Sequence, residues 1–166
     1  MIRWKPTKEE NIWQIKRSLL AMFLIQNIMN MEKDFDRWNQ VKKRIALGDH
    51  PNLFPKDGWV WMCAVGKNIG FEQNGAGKIF ERPVLVVKKF NNKMFWVAPL
   101  STKQKTYDFY YNFTDPNDRK GSVILAQMRL VSMKRFIRDM YKMNEADFNG
   151  ILTQLTAFLN KSKPRF

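Results

Sequence analysis

Histidine and cysteine are nearly absent from this chain of 166 residues. Cys63 is the single cysteine, so no disulfide can form within the chain, which fits a reducing cytoplasm. Its apolar neighbours Trp61, Met62 and Ala64 indicate a buried strand residue without chemistry. His50 is the single histidine, which excludes mechanisms and metal sites that need two imidazoles. We expect neither a metal ion nor a cofactor.

Long hydrophobic runs are missing as well. The most apolar run, residues 19–29, is shorter than the ~20 residues that a membrane-spanning helix needs. Glu9 and Glu10 stand where a secretory signal would be basic, and no small-residue cleavage site follows. We therefore expect a packing helix in a cytoplasmic protein that has no membrane partner.

Acidic side chains are few compared with basic ones. The chain has 29 Lys and Arg against 15 Asp and Glu, a net charge of +14 and a pI near 10.0. Such a field attracts polyanions, which include nucleic acid, acidic proteins and anionic membranes. Charge alone does not choose among these partners, and a solvated basic face is the plain alternative.

Two helices are predicted in the first third of the chain. Residues 7–30 begin with a capping-box pair, Thr7 and Glu10, and Asn30 is placed to end this helix. Residues 31–47 form the second helix, and Gly48 is its stop signal. Its apolar residues recur at spacings of three and four: Phe35, Trp38, Val41 and Ile45.

Short strands are predicted after a linker that contains Pro51, Pro55 and Gly58. Strand patterns cover residues 59–65, 83–90, 94–99 and 107–113, with one or two further strands in 122–131. Residues 91–93 form a tight hairpin turn, and residues 144–160 a closing helix with Asn144 as its N-cap. We expect a mainly β fold: a small barrel over residues 58–166 with a helical extension and linker over 1–57.

A glycine-rich segment, residues 68–83, separates the first two strands. Gly70, Gly75 and Gly77 predict a mobile loop whose backbone can approach a phosphate. Taken alone this signal is weak, because such segments are often ordinary loops. The segment lacks the Lys-Ser or Lys-Thr ending of a P-loop, so we exclude binding of nucleoside triphosphates.

An arginine and two hydroxyls are predicted at one end of the barrel. Arg82 precedes a strand and Ser101 and Thr102 follow the next, so the hairpin turn would bring them together. A guanidinium and a hydroxyl suit a phosphodiester, because both donate to phosphate oxygens. The alternative makes Arg82 a surface ion-pair residue.

Gln127 and Arg129 alternate with an apolar residue and share a strand face, which could equally be a solvated outer face.

Several segments in this order resemble the PemK/MazF family of toxins from bacterial toxin–antitoxin systems. The resemblance covers roughly residues 59–159 and rests on residues 70–75, 82–86, 97–102, 122–125 and 127–129. It implies an SH3-like barrel that forms a homodimer. It also implies metal-independent, sequence-specific cleavage of single-stranded mRNA and control by a cognate antitoxin, with operator DNA bound only by the toxin–antitoxin complex.

The resemblance also assigns roles by position. Arg82 matches the family's catalytic arginine, Ser101 its catalytic threonine or serine, and Glu72 a supporting loop glutamate. Ser132 stands where the family often has an aspartate, which leaves open either a weaker activity or a structural role for that aspartate. The residues expected to bind RNA are Gln73, Lys78, Thr102, Lys103, Gln127 and Arg129.

Two alternatives stay open. The related CcdB toxins use the same barrel to poison DNA gyrase by protein contact, so a non-catalytic barrel that binds nucleic acid or a protein target is the second reading. The Arg82 and Ser101 pair argues against it, because a gyrase poison needs neither.

Residues 1–30 have no counterpart in the family, and Met31 is an alternative start. This helix could mask the RNA groove as an antitoxin would, but we favour plain packing.

Overall fold

The structure of the chain is a computed structural model that describes residues 8–49 and 52–160. The predicted capping residue Thr7, the single histidine His50 and the linker residue Pro51 lie outside the described residues.

One continuous helix, α1, spans Lys8–Leu47, so the predicted break at Asn30 was wrong. The sequence of α1 contains neither glycine nor proline, and an asparagine in a helix interior costs only a few tenths of a kcal/mol. The Asn30 side chain accepts a hydrogen bond from Gln26 Nε2 one turn earlier (3.1 Å). The helix ends as predicted at Gly48, where the Lys134 ammonium donates to the carbonyls of Ala46 (2.7 Å) and Gly48 (2.8 Å).

The chain divides into two compact units, Met1–Gln40 and Val41–Phe166. In the first unit, the described apolar side chains of α1 between residues 12 and 31 are exposed, with 60% exposure at Leu19 and 63% at Phe23, whereas Trp38 is buried. The described side chains of the predicted packing helix, residues 19–29, are therefore exposed to solvent. Neither helix of the described parts of the chain has the length and hydropathy needed to cross a membrane.

The described part of the second unit contains seven antiparallel strands. They are β1 (Trp59–Ala64), β2 (Glu81–Lys89), β3 (Met94–Ser101), β4 (Tyr110–Thr114), β5 (Lys120–Ile124), β6 (Arg129–Ser132) and β7 (Phe136–Lys142). The order is β4-β5-β3-β2-β1-β7, and β6 pairs with the first half of β3. This confirms the mainly β, SH3-like barrel fold. The closing helix, α2 (Glu145–Asn160), follows with Asn144 as its N-cap, whose Oδ1 accepts from Asp147 N at 2.7 Å.

Three details of the strand predictions differ from the structure. The predicted strand over residues 107–113 begins only at Tyr110. Leu125–Gln127 is a short 3-10 helix, so Gln127 does not share a strand face with Arg129. β7 had no sequence prediction, because Phe136–Lys142 carries three charged residues and lacks clear alternation.

The core lies on both faces of the sheet. Val84, Leu85, Val86 and Val87 are all buried, with alternate residues contributing to the two clusters. Leu85 packs in the cluster that includes Ile151 of α2, and Val86 in the one that contains Cys63. Burial raises the pKa of the Cys63 thiol to about 12, which agrees with its predicted structural role.

Candidate active site at one end of the barrel

The β2–β3 hairpin brings Arg82 and Ser101 to the same end of the barrel, as the sequence predicted. Val84 pairs with Pro99, and the turn closes through Asn91, whose Oδ1 accepts from the backbone amides of Lys93 and Met94. Arg82 Nη1 donates to the carbonyl oxygen of Leu100 at 2.8 Å. Because Leu100 directly precedes Ser101, this hydrogen bond ties the guanidinium to the backbone that carries the hydroxyl.

A second hydrogen bond fixes the orientation of Arg82. Its Nε donates to the carbonyl oxygen of Asn74 at 2.7 Å, so the guanidinium spans the glycine-rich loop and β3. The remaining N–H groups have no hydrogen-bond partner within residues 8–49 and 52–160, and no carboxylate there pairs with Arg82. Burial lowers the pKa of Arg82, but an arginine stays protonated in a protein. The charge is thus available to an external anion.

The Ser101 hydroxyl is positioned by the turn that follows β3. Its Oγ accepts a hydrogen bond from the backbone N–H of Lys103 at 3.1 Å, which leaves its own proton free to donate. Ser122, the β5 partner of Ser101 in the sheet, is buried and donates from Oγ to the carbonyl of Lys103 at 2.8 Å. The turn is therefore bonded on both sides of Lys103, and Ser101 is held at its start.

Arg82 and Ser101 line one cavity of about 550 Å³. Three predicted RNA-binding residues, Gln73, Thr102 and Lys103, line the same cavity. Tyr110, from the aromatic segment 107–113 that the sequence offered either for base stacking or for core and dimer contacts, also lines it, as do Lys105, Arg119 and Lys120, for which there was no sequence prediction. Lys105 could have been found from its spacing of two from Lys103 in an otherwise polar segment, whereas Arg119 and Lys120 reach the cavity only through the β4–β5 turn. The cavity is predominantly basic.

One carboxylate, that of Asp115, lies in the lining, and it is engaged within the β4–β5 turn. Its Oδ2 accepts from Arg119 Nη2 (2.7 Å) and Nε (2.8 Å), and its Oδ1 from the amides of Asn117 and Arg119. Burial would raise the pKa of Asp115, but these hydrogen bonds and the Arg119 charge hold it below its ordinary value. A carboxylate so engaged is a poor proton acceptor.

Glu72 and Gln127 belong to the support of the glycine-rich loop. Glu72 is exposed, does not line the cavity, and accepts the Ile69 amide at Oε2 (3.3 Å). Gln127 Oε1 accepts the Gln73 amide (2.7 Å), and its Nε2 donates to the carbonyl of Phe71 (2.9 Å). Both ends of the Gln127 side chain are therefore used to hold the loop.

The other two predicted RNA-binding residues also lie outside the cavity lining. Arg129 Nη1 donates to Asn68 Oδ1 at 3.5 Å, at the start of the loop. Lys78 is exposed and does not line the cavity. The structure thus brings Arg82 and Ser101 together with three of the predicted RNA contacts and leaves Glu72, Lys78, Gln127 and Arg129 around the loop.

The glycine-rich loop is held by hydrogen bonds along its length, although the sequence predicted a mobile segment. The Asn68 amide donates to Asn74 Oδ1 (2.6 Å), and Asn68 Nδ2 donates to the carbonyl of Gln73 (2.7 Å). Gly75 is required here, because a Cβ would lie 1.8 Å from the carbonyl oxygen of Phe80. This packing presents the Asn74 carbonyl to Arg82.

The chain is similar to a known protein family and to solved structures. The family model for PemK-like, MazF-like toxins of type II toxin–antitoxin systems matches residues 56–159. MazF from Deinococcus radiodurans (form I) superimposes with a TM-score of 0.55 and 18% identity over 65% of this chain and 98% of that chain. An endoribonuclease in complex with its cognate antitoxin, from a mycobacterial species, gives 0.52 and 17% over 67% and 100%.

Because the two solved structures are only 18% and 17% identical to this chain, they show a shared fold. No curated protein sequence matches the chain. The family model spans well over half of the chain and includes the loop, Arg82, Ser101 and α2 up to its last residue but one. The chain therefore belongs to the family of PemK-like, MazF-like toxins of type II toxin–antitoxin systems.

Proposed function

We propose that the barrel is a sequence-specific endoribonuclease that cleaves single-stranded mRNA by attack of the substrate's own 2′-hydroxyl, without a metal ion. The observation that supports this most directly is the joining of Arg82 to the Ser101 backbone through the Leu100 carbonyl, at the wall of a basic cavity. The D. radiodurans relative is named MazF, and the mycobacterial one is an endoribonuclease.

The proposed chemistry depends on charge stabilisation. The 2′-hydroxyl loses its proton to water as its oxygen bonds to phosphorus, the bond to the 5′-oxygen of the next nucleotide breaks, that oxygen takes a proton from water, and a cyclic phosphate remains. The unused N–H groups of Arg82 would neutralise the non-bridging oxygens as negative charge accumulates, and the Ser101 hydroxyl would donate to one of them. Glu72 matches a supporting glutamate of the family, but its place outside the cavity lining gives a role as general base no support.

The proposed partners follow from the family. A cognate antitoxin accompanies the mycobacterial endoribonuclease in its complex, and we propose one for this chain. We also propose a homodimer, binding to operator DNA only as a toxin–antitoxin complex, and action on mRNA in the cytoplasm. The barrel domain would comprise residues 58–166, preceded by the extension and linker over 1–57.

The test is cleavage of a long single-stranded RNA in EDTA by the wild-type chain and by Arg82→Ala. We expect discrete cuts with cyclic-phosphate ends and a loss of at least about 10²–10³-fold in rate for Arg82→Ala, comparable to loss of an oxyanion donor. Arg138→Ala is the matched control, because Arg138 is an exposed strand arginine that does not line the cavity. It should cleave at nearly the wild-type rate.

Equal cleavage by Arg82→Ala and Arg138→Ala would refute the proposed role of Arg82. Cleavage of an all-deoxy substrate would contradict attack by the 2′-hydroxyl, and loss of cleavage in EDTA would contradict metal independence. Binding to the basic cavity should also weaken steeply as salt is raised.

A further inference from the structure

Three aromatic side chains form an exposed cluster next to the cavity. The rings of Tyr107 and Phe109 lie parallel, with centroids 5.2 Å apart and an interplanar angle of 2°. Tyr110 packs against both at tilted angles, 6.2 Å from Tyr107 and 5.2 Å from Phe109. Tyr107 is 57% exposed and Phe109 36% exposed, so a large part of this aromatic cluster faces water.

A lysine joins the aromatic cluster to the cavity. Lys105 Nζ lies 5.3 Å from the ring centroid of Tyr110 and 5.9 Å from that of Tyr107, within cation–π range. Lys105 and Tyr110 line the cavity together with Arg82 and Ser101. An RNA strand with a phosphate bound at Arg82 would therefore lie next to the aromatic cluster, because Tyr110 lines the same cavity.

The backbone that carries the aromatic cluster is fixed by hydrogen bonds. The Asn112 Nδ2 group donates a hydrogen bond to the Lys105 carbonyl (3.0 Å), and Asn112 Oδ1 accepts one from the Lys105 amide (3.4 Å). The Phe109 carbonyl accepts from the Leu125 amide (2.9 Å), and the preceding carbonyl accepts from the Gln154 side chain of α2. The exposed rings thus stand on an ordered support, and a ligand that stacks on them loses little free energy in ordering the chain.

We propose that the aromatic cluster of Tyr107, Phe109 and Tyr110 is a stacking subsite for a base of the single-stranded RNA that flanks the bound phosphate. This inference rests on the proposed function. Every base has a flat π-face, so stacking holds a single strand without selecting its sequence. The lysine beside the rings supplies a charge for the neighbouring phosphate. A peptide partner would instead favour a concave apolar groove, whereas these rings flank a cavity lined by basic side chains.

The test compares two changes, one in the protein and one in the RNA. The protein variant is Tyr107→Leu combined with Phe109→Leu, which keeps apolar bulk and removes the π-faces. The RNA is a short, fluorescently labelled single strand with all 2′-hydroxyls methylated, which cannot be cleaved, and a copy with abasic residues. We expect the double variant to bind the first RNA about tenfold or more weakly. Base removal should weaken binding to the wild-type chain and leave the double variant nearly unaffected.

Two controls accompany the double variant. Phe54→Leu alters a 68% exposed phenylalanine outside the cavity lining and should bind like wild type. Tyr107→Phe retains the ring and should do the same. If the double variant fails to fold by circular dichroism, Tyr107→Leu alone carries the test, because that ring is the more exposed of the pair.

Cleavage of unmodified RNA by the wild-type chain is measured in parallel. If the wild-type chain cuts RNA while the leucine variants bind like Phe54→Leu, the stacking subsite is overturned and the proposed function stands. If the wild-type chain neither binds nor cuts RNA, both the proposed function and the stacking subsite are refuted. Loss of affinity for a purified antitoxin with unchanged affinity for RNA would also overturn the subsite, because the rings would then serve a protein partner.

Discussion

The barrel and helix α1 contain the same kinds of apolar side chain and bury them very differently. Leu85 and Phe95 in the barrel have no exposed surface, whereas Leu19 and Phe23 in α1 are 60% and 63% exposed. Strand side chains alternate between two faces, and the sheet provides a packed layer on each. In α1 the apolar residues between positions 12 and 31 lie all around the helix axis. They therefore do not form one apolar face that a neighbouring element could bury.

The comparison shows that hydrophobicity alone does not locate a core. A side chain contributes to stability when neighbouring elements bury it, and the same side chain contributes little when water surrounds it. Equivalent substitutions should therefore lower the free energy of unfolding much more in the barrel than in the exposed part of α1. Matched pairs of residues in the two parts allow this to be measured.

The largest difference is expected for a pair of phenylalanines. Phe95→Ala should lower the free energy of unfolding by about 3–5 kcal/mol, because a fully buried ring is replaced by a cavity between β3 and its neighbours. Phe23→Ala should change it by less than about 0.5 kcal/mol, as for other exposed positions. Denaturant unfolding of both variants measures the difference, and equal losses would show that Phe23 is buried in solution.

Much of the fold could be predicted because its determinants are local in sequence. The β2–β3 hairpin is specified by two β-branched runs and by Asn91 between them, and the cap at Asn144 is read from a single residue. α1 could not be predicted as one helix, because Asn30 is compatible with both an end and an interior position. β7 could not be predicted, since its pairing with β1 contains register shifts and its residues lack alternation.

A smaller difference is expected for a pair of aspartates. Asp115→Asn should lower the free energy of unfolding at pH 7 by about 1–2 kcal/mol, because it weakens the charged hydrogen bonds from Arg119, an arginine that water partly screens. Asp36→Asn, at an exposed position of α1, should change it by less than about 0.5 kcal/mol.

The pH dependence of the Asp115 effect has a definite sign. The folded-state pKa of Asp115 lies below its ordinary value of about 3.9, so its contribution is complete above that value and is lost as the pH falls through the folded-state pKa. The difference between wild type and Asp115→Asn should therefore shrink when thermal unfolding is measured at successively lower pH. A difference that grows with acidification would contradict the hydrogen-bonding account.

A local effect is expected for a pair of glutamines. Gln127→Ala removes the hydrogen bonds to Gln73 and Phe71 and should cost roughly 1 kcal/mol of local stability, which accelerates amide exchange at Gln73 about fivefold. Gln26→Ala in α1 removes one exposed bond to Asn30 and should leave exchange in its own helix nearly unchanged. Unchanged exchange at Gln73 would mean that Gln127 does not hold the loop.

The candidate site was predictable only in part, for a physical reason. Arg82 and Ser101 are brought together by a hairpin that the sequence specifies. Glu72 and Gln127 were assigned by resemblance, and their surroundings depend on how residues 66–80 fold on themselves. Lys105 and Arg119 join the site through pairing of β4 with β5, a contact that no local pattern encodes.

The smallest effect on stability is expected when residues 1–30 are removed, so that the chain begins at Met31. Among the described residues, the members of the two core clusters and the partly buried hydrophobic side chains packed against them lie between Leu53 and Phe158. The free energy of unfolding should therefore change by less than about 1 kcal/mol.

Self-association and binding of a hydrophobic dye should fall, because the exposed apolar side chains of α1 are lost. Leu19→Lys combined with Phe23→Lys in the full chain is the matched control and should reduce both without shortening the protein. A shortened chain that unfolds several kcal/mol more easily would show that the helix stabilises the barrel, and the contrast between the two parts would then fail.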